Sequence, residues 1–389
     1  MFLPLESVTL RNFLSFGPES DPVELRALNV IIGANGSGKS NFVEAVNFLK
    51  YASDDLGLLF RQGGGFRQWI WKGGEGEPAR LEFEGHVKPQ RPFAHSITFA
   101  ASGTSFEVTD ESLAVSGSSP RLPTRKTFAY ENGQPVLRPG TRAEKLARGD
   151  VNVSQSVVSE EQDRDFGQKV RLLGRLYKRF AVYDARYFNA ISDKARVPPP
   201  ADVPSRYLSR NGSNLAAVLA RLKADRVTSQ NIDRYMESFY DGYDGLTVTP
   251  AAGVLQLALN ESFFRDGTPI SRLSDGTIRW LGLLAILLDP EPAPLVCIEE
   301  PESGLHPDVV VVLADLLREA SERTQLIVTT HSDILIDALT DVPESVVVCD
   351  KEEGATRLKR LDSKKLAAWL AEYSLGPLWR RNQLGGNRW

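Results

Sequence analysis

The sequence predicts an α/β fold built on a mainly parallel sheet. Three observations carry this. Continuous apolar runs, "LNVII", "LVCI", "QLIVTT" and "SVVVC", read as strands buried on both faces. Longer segments, "GTIRWLGLLAILL" and "DVVVVLADLLREA", read as helices between the later runs. Strand–helix alternation of this kind belongs to a parallel sheet flanked by helices. The first apolar run also passes through a glycine-rich loop directly into a helix, "LNVIIGANGSGKSNFVEAVNFLKYA".

Taken in order, "ESVTLRNF" alternates and reads as a strand. The helix after the glycine loop places Phe42, Val46 and Leu49 on one face. From about residue 79 to 138 the runs shorten and alternate, and "ENGQ" signals a hairpin, so an antiparallel sheet is expected. Residues 141–245 turn polar and helical, with "FGQKVRLLGRLYKRF" and "NLAAVLARLKAD" the clearest helices. The connector "ARVPPPADVPSRY" favours extended backbone. Strands return at "LTVTP" and "VLQLALN". Three parts follow: 1–140 with the glycine loop and the antiparallel sheet, 141–245 as a helical insertion, and 246–389 completing the parallel core. No internal repeat and no long heptad run appears.

The chain has 389 residues, 25% of them charged, and a net charge of −4, an ordinary globular balance with no global basic field. Its two cysteines, Cys297 and Cys349, lie in apolar runs and read as core residues of a reducing compartment. Polar and acidic residues come too early for a signal peptide. The longest apolar run, "WLGLLAILL", is about half a membrane span. A cytoplasmic protein with no membrane partner is expected.

The most specific motif is "GANGSGKS", residues 33–40, with the strand before it and the helix after it that a P-loop requires. Glycines let the backbone approach phosphate oxygens, and the amides of Asn35, Gly36, Ser37, Gly38, Lys39 and Ser40 can point inward. The helix N-terminus adds its positive end. Lys39 supplies charge to the outer phosphates, and the Ser40 hydroxyl suits Mg2+. "LVCIEE" then supplies acids at a strand end: Glu299 to hold Mg2+ through water, and Glu300 as the base that polarises an attacking water. "RLSDGTIRW" starts an apolar helix with Ser274, Asp275 and Gly276, a second anion site that is redundant unless it caps a nucleotide held by another subunit. "IVTTHSD" sets His331 at a strand end, where it suits a γ-phosphate sensor. A strand-end histidine or an "LSDG" helix start alone is ordinary structure; the order of all four motifs is what is specific.

With "GANGSGKSN", "RLSDGT", "CIEEPESGLHP" and "TTHSDIL" in this order, the chain resembles an ABC-type ATPase of the SMC/RecF-like kind, near the stand-alone bacterial ATPases related to the OLD family. The resemblance covers the first ~60 residues and about 246–340. It implies a P-loop ATPase head with ATP and Mg2+ as cofactors, and a homodimer formed on ATP binding. It implies nucleotide contacts for Arg11, Asn12, residues 33–40 and Asn41, and a signature at Ser274, Asp275 and Gly276 acting in trans. Glu300 resembles the catalytic glutamate, residues 303–305 the D-loop and His331 the switch histidine. Gln62 or Gln68 resembles the metal-shell glutamine of the Q-loop, with a plain surface loop the alternative. Glu299 stands where most members carry aspartate, and "LSDGT" departs from the transporter-like "LSGGQ". About 58 residues follow His331, too few for a TOPRIM nuclease domain.

Two partner classes remain open. Arg171, Arg175, Lys178 and Arg179 share one side of a helix, which is either a solvated face or a phosphate-contacting one. "WRRNQLGGNRW" reads equally as a docked tail, a partner site or a DNA contact. DNA implies genome maintenance or repair. An effector protein, a nuclease or a toxin, implies a nucleotide-gated scaffold in phage defence.

Overall fold

The computed structural model describes residues 2–74, 76–103, 105–116, 121–122, 126–131, 133–138, 144–146, 152–159, 167–185 and 191–386. Strands β1 (Ser7–Arg11), β2 (Val23–Glu24) and β3 (Leu28–Ile32) lead into helix α1 (Lys39–Ala52) and the short helix α2 (Leu56–Gln62). Strands β4 (Ala79–Lys88), β5 (Arg91–Ser102), β6 (Ser105–Val115), β7 (Phe128–Glu131), β8 (Gln134–Leu137) and β9 (Glu144–Lys145) follow. Next come α3 (Gly167–Lys178), β10 (Ala181–Tyr183), α4 (Ile191–Ala195), α5 (Leu215–Ala224) and α6 (Arg226–Glu237). The hairpin strands β11 (Tyr243–Ala251), β12 (Val254–Glu261) and β13 (Thr268–Pro269) precede α7 (Asp275–Leu287). The chain closes with β14 (Leu295–Glu299), α8 (Pro307–Ser321), β15 (Gln325–Thr330), α9 (Asp333–Asp337), β16 (Val346–Glu352), β17 (Ala355–Arg360), α10 (Ser363–Leu370) and α11 (Leu375–Arg380).

The core sheet runs β10-β14-β15-β3-β16-β17. The first five strands are parallel, and β17 returns antiparallel to β16. Alternate side chains enter different cores, as the period of two dictates. Val30, Ile32, Val296, Ile298, Leu326 and Val328 face the core built with α5 to α9. Ile31, Leu295, Cys297, Ile327, Val347 and Cys349 face the core built with α1, α3 and the second sheet. Helix α7 is apolar nearly all round because other elements surround it. The second sheet is antiparallel, in the order β2-β1-β4-β5-β6-β7-β8-β9, and β11-β12-β13 form a third. No helix among the described residues is long and apolar enough to cross a membrane.

Two expectations need correction. The stretch 141–245 is not one helical body. Helix α3 packs in the same core as the antiparallel sheet, β10 adds an edge strand to the core sheet, and α5 and α6 lie on its opposite face. The antiparallel sheet also runs past residue 140 to β9 and takes in β1 and β2. Three short residues, Ala181, Val182 and Tyr183, carry too little pattern for the edge strand to be read locally. The proline connector is extended as expected and pairs with the start of β12: Leu255 N–H donates to Pro199 O, and Ala201 N–H to Gly253 O. The "ENGQ" hairpin joins β7 to β8, with Asn132 outside the described residues. So are 387–389 of the tail, but the tail is docked through Gly386, whose N–H donates to Asp350 Oδ2.

A buried polar knot ties the antiparallel sheet to α3. Glu111, 1% exposed, accepts from the Val157 N–H at 2.9 Å and from the Ser156 hydroxyl, and lies 2.9 Å from His95 Nε2. His95 Nδ1 is 3.2 Å from the Tyr177 hydroxyl of α3, whose pKa burial pushes well up. Glu111→Ala leaves three groups without their partner in a dry site. Urea denaturation is expected to show a loss of about 3–5 kcal/mol. A loss under about 1 kcal/mol would mean the knot does not anchor α3.

Candidate functional site

The site forms at the carboxyl ends of β3, β14 and β15, where open α/β sheets collect ligands. After β3 the chain must turn without side chains. A Cβ on Gly33 would come 2.2 Å from the Cys349 carbonyl oxygen of β16. Gly38 has φ +117°, and a Cβ there would meet Thr356 Oγ1 at 2.1 Å. The loop's crest, Asn35 and Gly36, is exposed, while Ser37, Gly38 and Lys39 are buried. Thr356 of β17 supports the loop from below through a 2.7 Å hydrogen bond to Ser37 O. Its hydroxyl also lies 2.7 Å from that of Ser15, which accepts from Asn41 Nδ2 at 2.7 Å.

Lys39 Nζ donates to Gly33 O (2.9 Å) and Ala34 O (3.1 Å). Burial draws its pKa below the usual lysine value, while the charges of Glu300, Glu299 and Glu302 oppose that shift. Glu299, 7% exposed, ends β14. One carboxylate oxygen, Oε2, accepts from the Ala185 N–H at 3.1 Å. The other, Oε1, is buried without a partner among the described residues. Burial raises the Glu299 pKa; Ser40 and the Ala185 N–H lower it, and the charges of Asp184 and Glu300 add to the rise. A dry, unpartnered carboxylate oxygen beside Ser40 fits Mg2+, which supplies the missing charge. Asp184, at the end of β10, was not singled out from the sequence. The signal was there: "AVYD" is a short apolar run ending in an acid, as "LVCIEE" is.

Glu300 has φ +48°, a left-handed backbone that costs a non-glycine residue energy. Its N–H donates to Thr329 O, and the Ser303 hydroxyl donates to its Oε2 at 3.3 Å. His331 Nε2 stands 3.6 Å from Oε1. His331 is held below the usual histidine pKa by burial and by the Lys39 charge, against the pull of Glu300. Sequence reasoning also passed over Glu302. Its Oε1 accepts from the Thr330 hydroxyl and from the His331 N–H (3.2 Å), so it fixes the segment that carries the histidine. Its Oε2 is buried and unpartnered among the described residues, and burial raises its pKa.

The signature lies at the start of α7. Ser274 caps the helix by accepting from Thr277 N–H, and Asp275 pairs with Arg196 at 2.5 Å. Both are exposed. Gly276 passes so near the D-loop that a Cβ would be 3.1 Å from Gly304 O, and Arg279 Nη1 donates to Ser303 O at 2.6 Å. The signature is therefore tied to the D-loop of its own chain. The remaining candidates are bonded elsewhere. Arg11 pairs with Glu82 at 2.6 Å, and Asn12 donates to Glu77 and Pro78 O. Gln62 accepts from the Tyr51 hydroxyl, and Gln68 from Lys72.

The chain belongs to the AAA-domain family described as "AAA domain, putative AbiEii toxin, Type IV TA system", whose model matches residues 28–337. No curated protein matches it. Among solved structures, an SMC head bound to the C-terminal winged-helix domain of ScpA superposes with a TM-score of 0.59 at 16% identity, covering 93% of this chain and 99% of that one. An SMC head from Pyrococcus yayanosii gives 0.52 at 14% identity, covering 96% and 99%. One from Pyrococcus furiosus, also bound to a domain of ScpA, gives 0.51 at 16%, covering 96% and 99%. These likenesses establish the fold of an SMC/RecF-like ABC-type ATPase head. None of these matches bears on the resemblance to the OLD family, which the sequence motifs alone suggest.

The Glu302 geometry gives a test. Glu302→Ala is expected to slow ATP turnover about tenfold while ATP affinity changes little, because it frees the histidine segment and leaves the P-loop intact. Glu302→Gln keeps an acceptor oxygen and should restore most of the rate. Single-turnover kinetics with nucleotide titration check this. Equal rates in the two variants would exclude a positioning role.

Proposed function

We propose that this head binds ATP with Mg2+ and hydrolyses it slowly, in a dimer that holds two ATP molecules between two heads. The observation that carries the reading is the convergence of Lys39, Glu299, Glu300 and His331 at one sheet edge, with Glu300 in a strained backbone conformation. The loop amides and Lys39 hold the phosphates. Ser40 and Glu299 would hold Mg2+, which neutralises phosphate charge. Glu300 accepts a proton from the attacking water, whose oxygen bonds to the γ-phosphorus as the bond to the bridging oxygen breaks and ADP leaves. His331, kept below its usual pKa, orients Glu300 and the γ-phosphate. The exposed signature, bound to its own D-loop, supports action on the partner's nucleotide.

The cycle drives DNA engagement in genome maintenance or repair; the exposed cations Arg175 and Lys178 on α3, and Arg179 just past it, support this. A second reading, a nucleotide-gated scaffold that releases an effector in phage defence, is favoured by the toxin description of the family. DNA-stimulated hydrolysis supports the first. Unstimulated hydrolysis, together with a neighbouring toxin or nuclease gene, supports the second.

Glu300→Gln should keep ATP binding and lose hydrolysis, because an amide cannot take the proton. ATP should then trap a dimer on a sizing column. Hydrolysis at the wild-type rate would remove Glu300 as the base.

The trans role of the signature has a sharper consequence. Lys39→Ala and Ser274→Arg should each be inactive. In a two-fold dimer, each mixed pair then has one site with both lesions and one with neither. Equal mixing makes about half the dimers mixed, so roughly a quarter of the wild-type rate should return if sites fire independently. No recovery, with mixed dimers demonstrated and one intact site known to suffice, would place signature and P-loop in the same subunit.

A further inference from the structure

At the opposite end of α1 from the P-loop lies a groove of about 520 Å³. Its walls are Lys50, Tyr51 and Asp54 from the end of α1 and just beyond it, Leu58 of α2, Lys178 of α3, and Arg210. Among the described residues, three cations and one carboxylate, the exposed Asp54, line it. Arg210 is fixed in place, with Nη2 donating to Asn47 Oδ1 at 2.7 Å. Lys50 is the unusual member. Burial and the neighbouring Arg210 charge bring its pKa down to about 8. No carboxylate contributes to that shift, and Lys50 has no ion pair among the described residues.

A half-buried ammonium beside a guanidinium is costly unless an anion completes it. The weak negative end of α1 offers partial compensation only. Lys178 is exposed, as are Arg175 of the same helix and Arg179 just past its end. Tyr51 and Leu58 give it an apolar side.

We propose that this groove binds a phosphate group attached to a nucleoside, with Lys50, Lys178 and Arg210 on the phosphate oxygens and Tyr51 and Leu58 against the sugar or base. A nucleic-acid strand and a free nucleotide present this same chemistry. Helix α1 has 14 residues, so the groove lies roughly 20 Å from the P-loop and is a separate site. The binding needs no hydrolysis and does not rest on the catalytic reading above.

The test uses the full chain carrying Lys39→Ala, which removes P-loop binding. A fluorescein-labelled single-stranded oligonucleotide is titrated by anisotropy, with unlabelled oligonucleotide, AMP and inorganic phosphate as competitors. Lys50→Met is expected to weaken binding about tenfold or more, and Lys50→Arg to retain it. Affinity should fall as pH rises from 7 to 9, as Lys50 loses its proton beside Arg210, Lys178 and Asp54; the probe's phosphodiesters keep their charge throughout, and a monoester such as AMP completes its second ionisation, at about 6, below this range. The Lys50→Arg chain should lose that step, which decides the matter even if Lys50→Met folds poorly. Competition by AMP assigns a free nucleotide, and competition by oligonucleotide alone assigns a strand. Failure of every probe to bind, equal affinity of Lys50→Met and the parent, or a pH step unchanged in Lys50→Arg would overturn the proposal.

Discussion

One buried lysine sets the terms for the candidate site. Lys39 is 6% exposed and lies among Glu299, Glu300 and Glu302, three acids for one cation. Burial works against charge on the lysine and on the acids whose pKa values rise, Glu299 and Glu302. Such a cluster is under-compensated as it stands. Its two unpartnered oxygens, Glu299 Oε1 and Glu302 Oε2, locate the deficit on the acidic side. A metal-bound triphosphate would add a cation near Glu299 and oxygens near Lys39, which matches where each sign is lacking. The parallel sheet is what makes this geometry available: β3, β14 and β15 end together, so three loops deliver their charged residues to one edge.

The same edge is wired to the signature by contacts that skip the P-loop. Arg279 of α7 reaches Ser303 O; Ser303 reaches Glu300; Glu302 holds Thr330 and the His331 N–H. A displacement of α7 by a partner head would therefore move the D-loop, and the D-loop would move both the base and the histidine. This is a contiguous mechanical path of hydrogen bonds. In the proposed dimer, where each head would supply its neighbour's signature, this path gives a physical reason for hydrolysis to wait for assembly.

The sequence showed the parts of this machine that are local. A P-loop needs its glycines and lysine within eight residues, and apolar runs ending in "EE" or "H" declare a strand and its functional tip together. What it hid is long-range. Thr356 supports the P-loop from 319 residues away along the chain, through its bond to Ser37 O. Asp184 approaches Glu299 only because β10 joins β14 across 115 residues. Glu302 stood inside a motif already quoted, yet its role depends on Thr330 and His331 in another loop. The helical block expected at 141–245 misread a chain that crosses between two cores, since periodicity gives the face of a helix but not which core it enters.

Helix α1 joins these observations. Its first turn carries Lys39 and Ser40 and its last carries Lys50, with Phe42, Val43, Val46, Phe48 and Leu49 buried between them. Packing on that scale holds a helix as one rigid element, because close-packed interiors deform little without losing contacts. Asn47 extends the connection sideways to Arg210. An anion held by Lys50 and Arg210, as proposed, would therefore pull on the element that carries Lys39. By linkage that coupling must be reciprocal: whatever an occupant of the groove does to ATP affinity, ATP does to the occupant. The two ends of α1 thus give the head a route by which a phosphate ligand and the nucleotide state could report on each other without a change of fold.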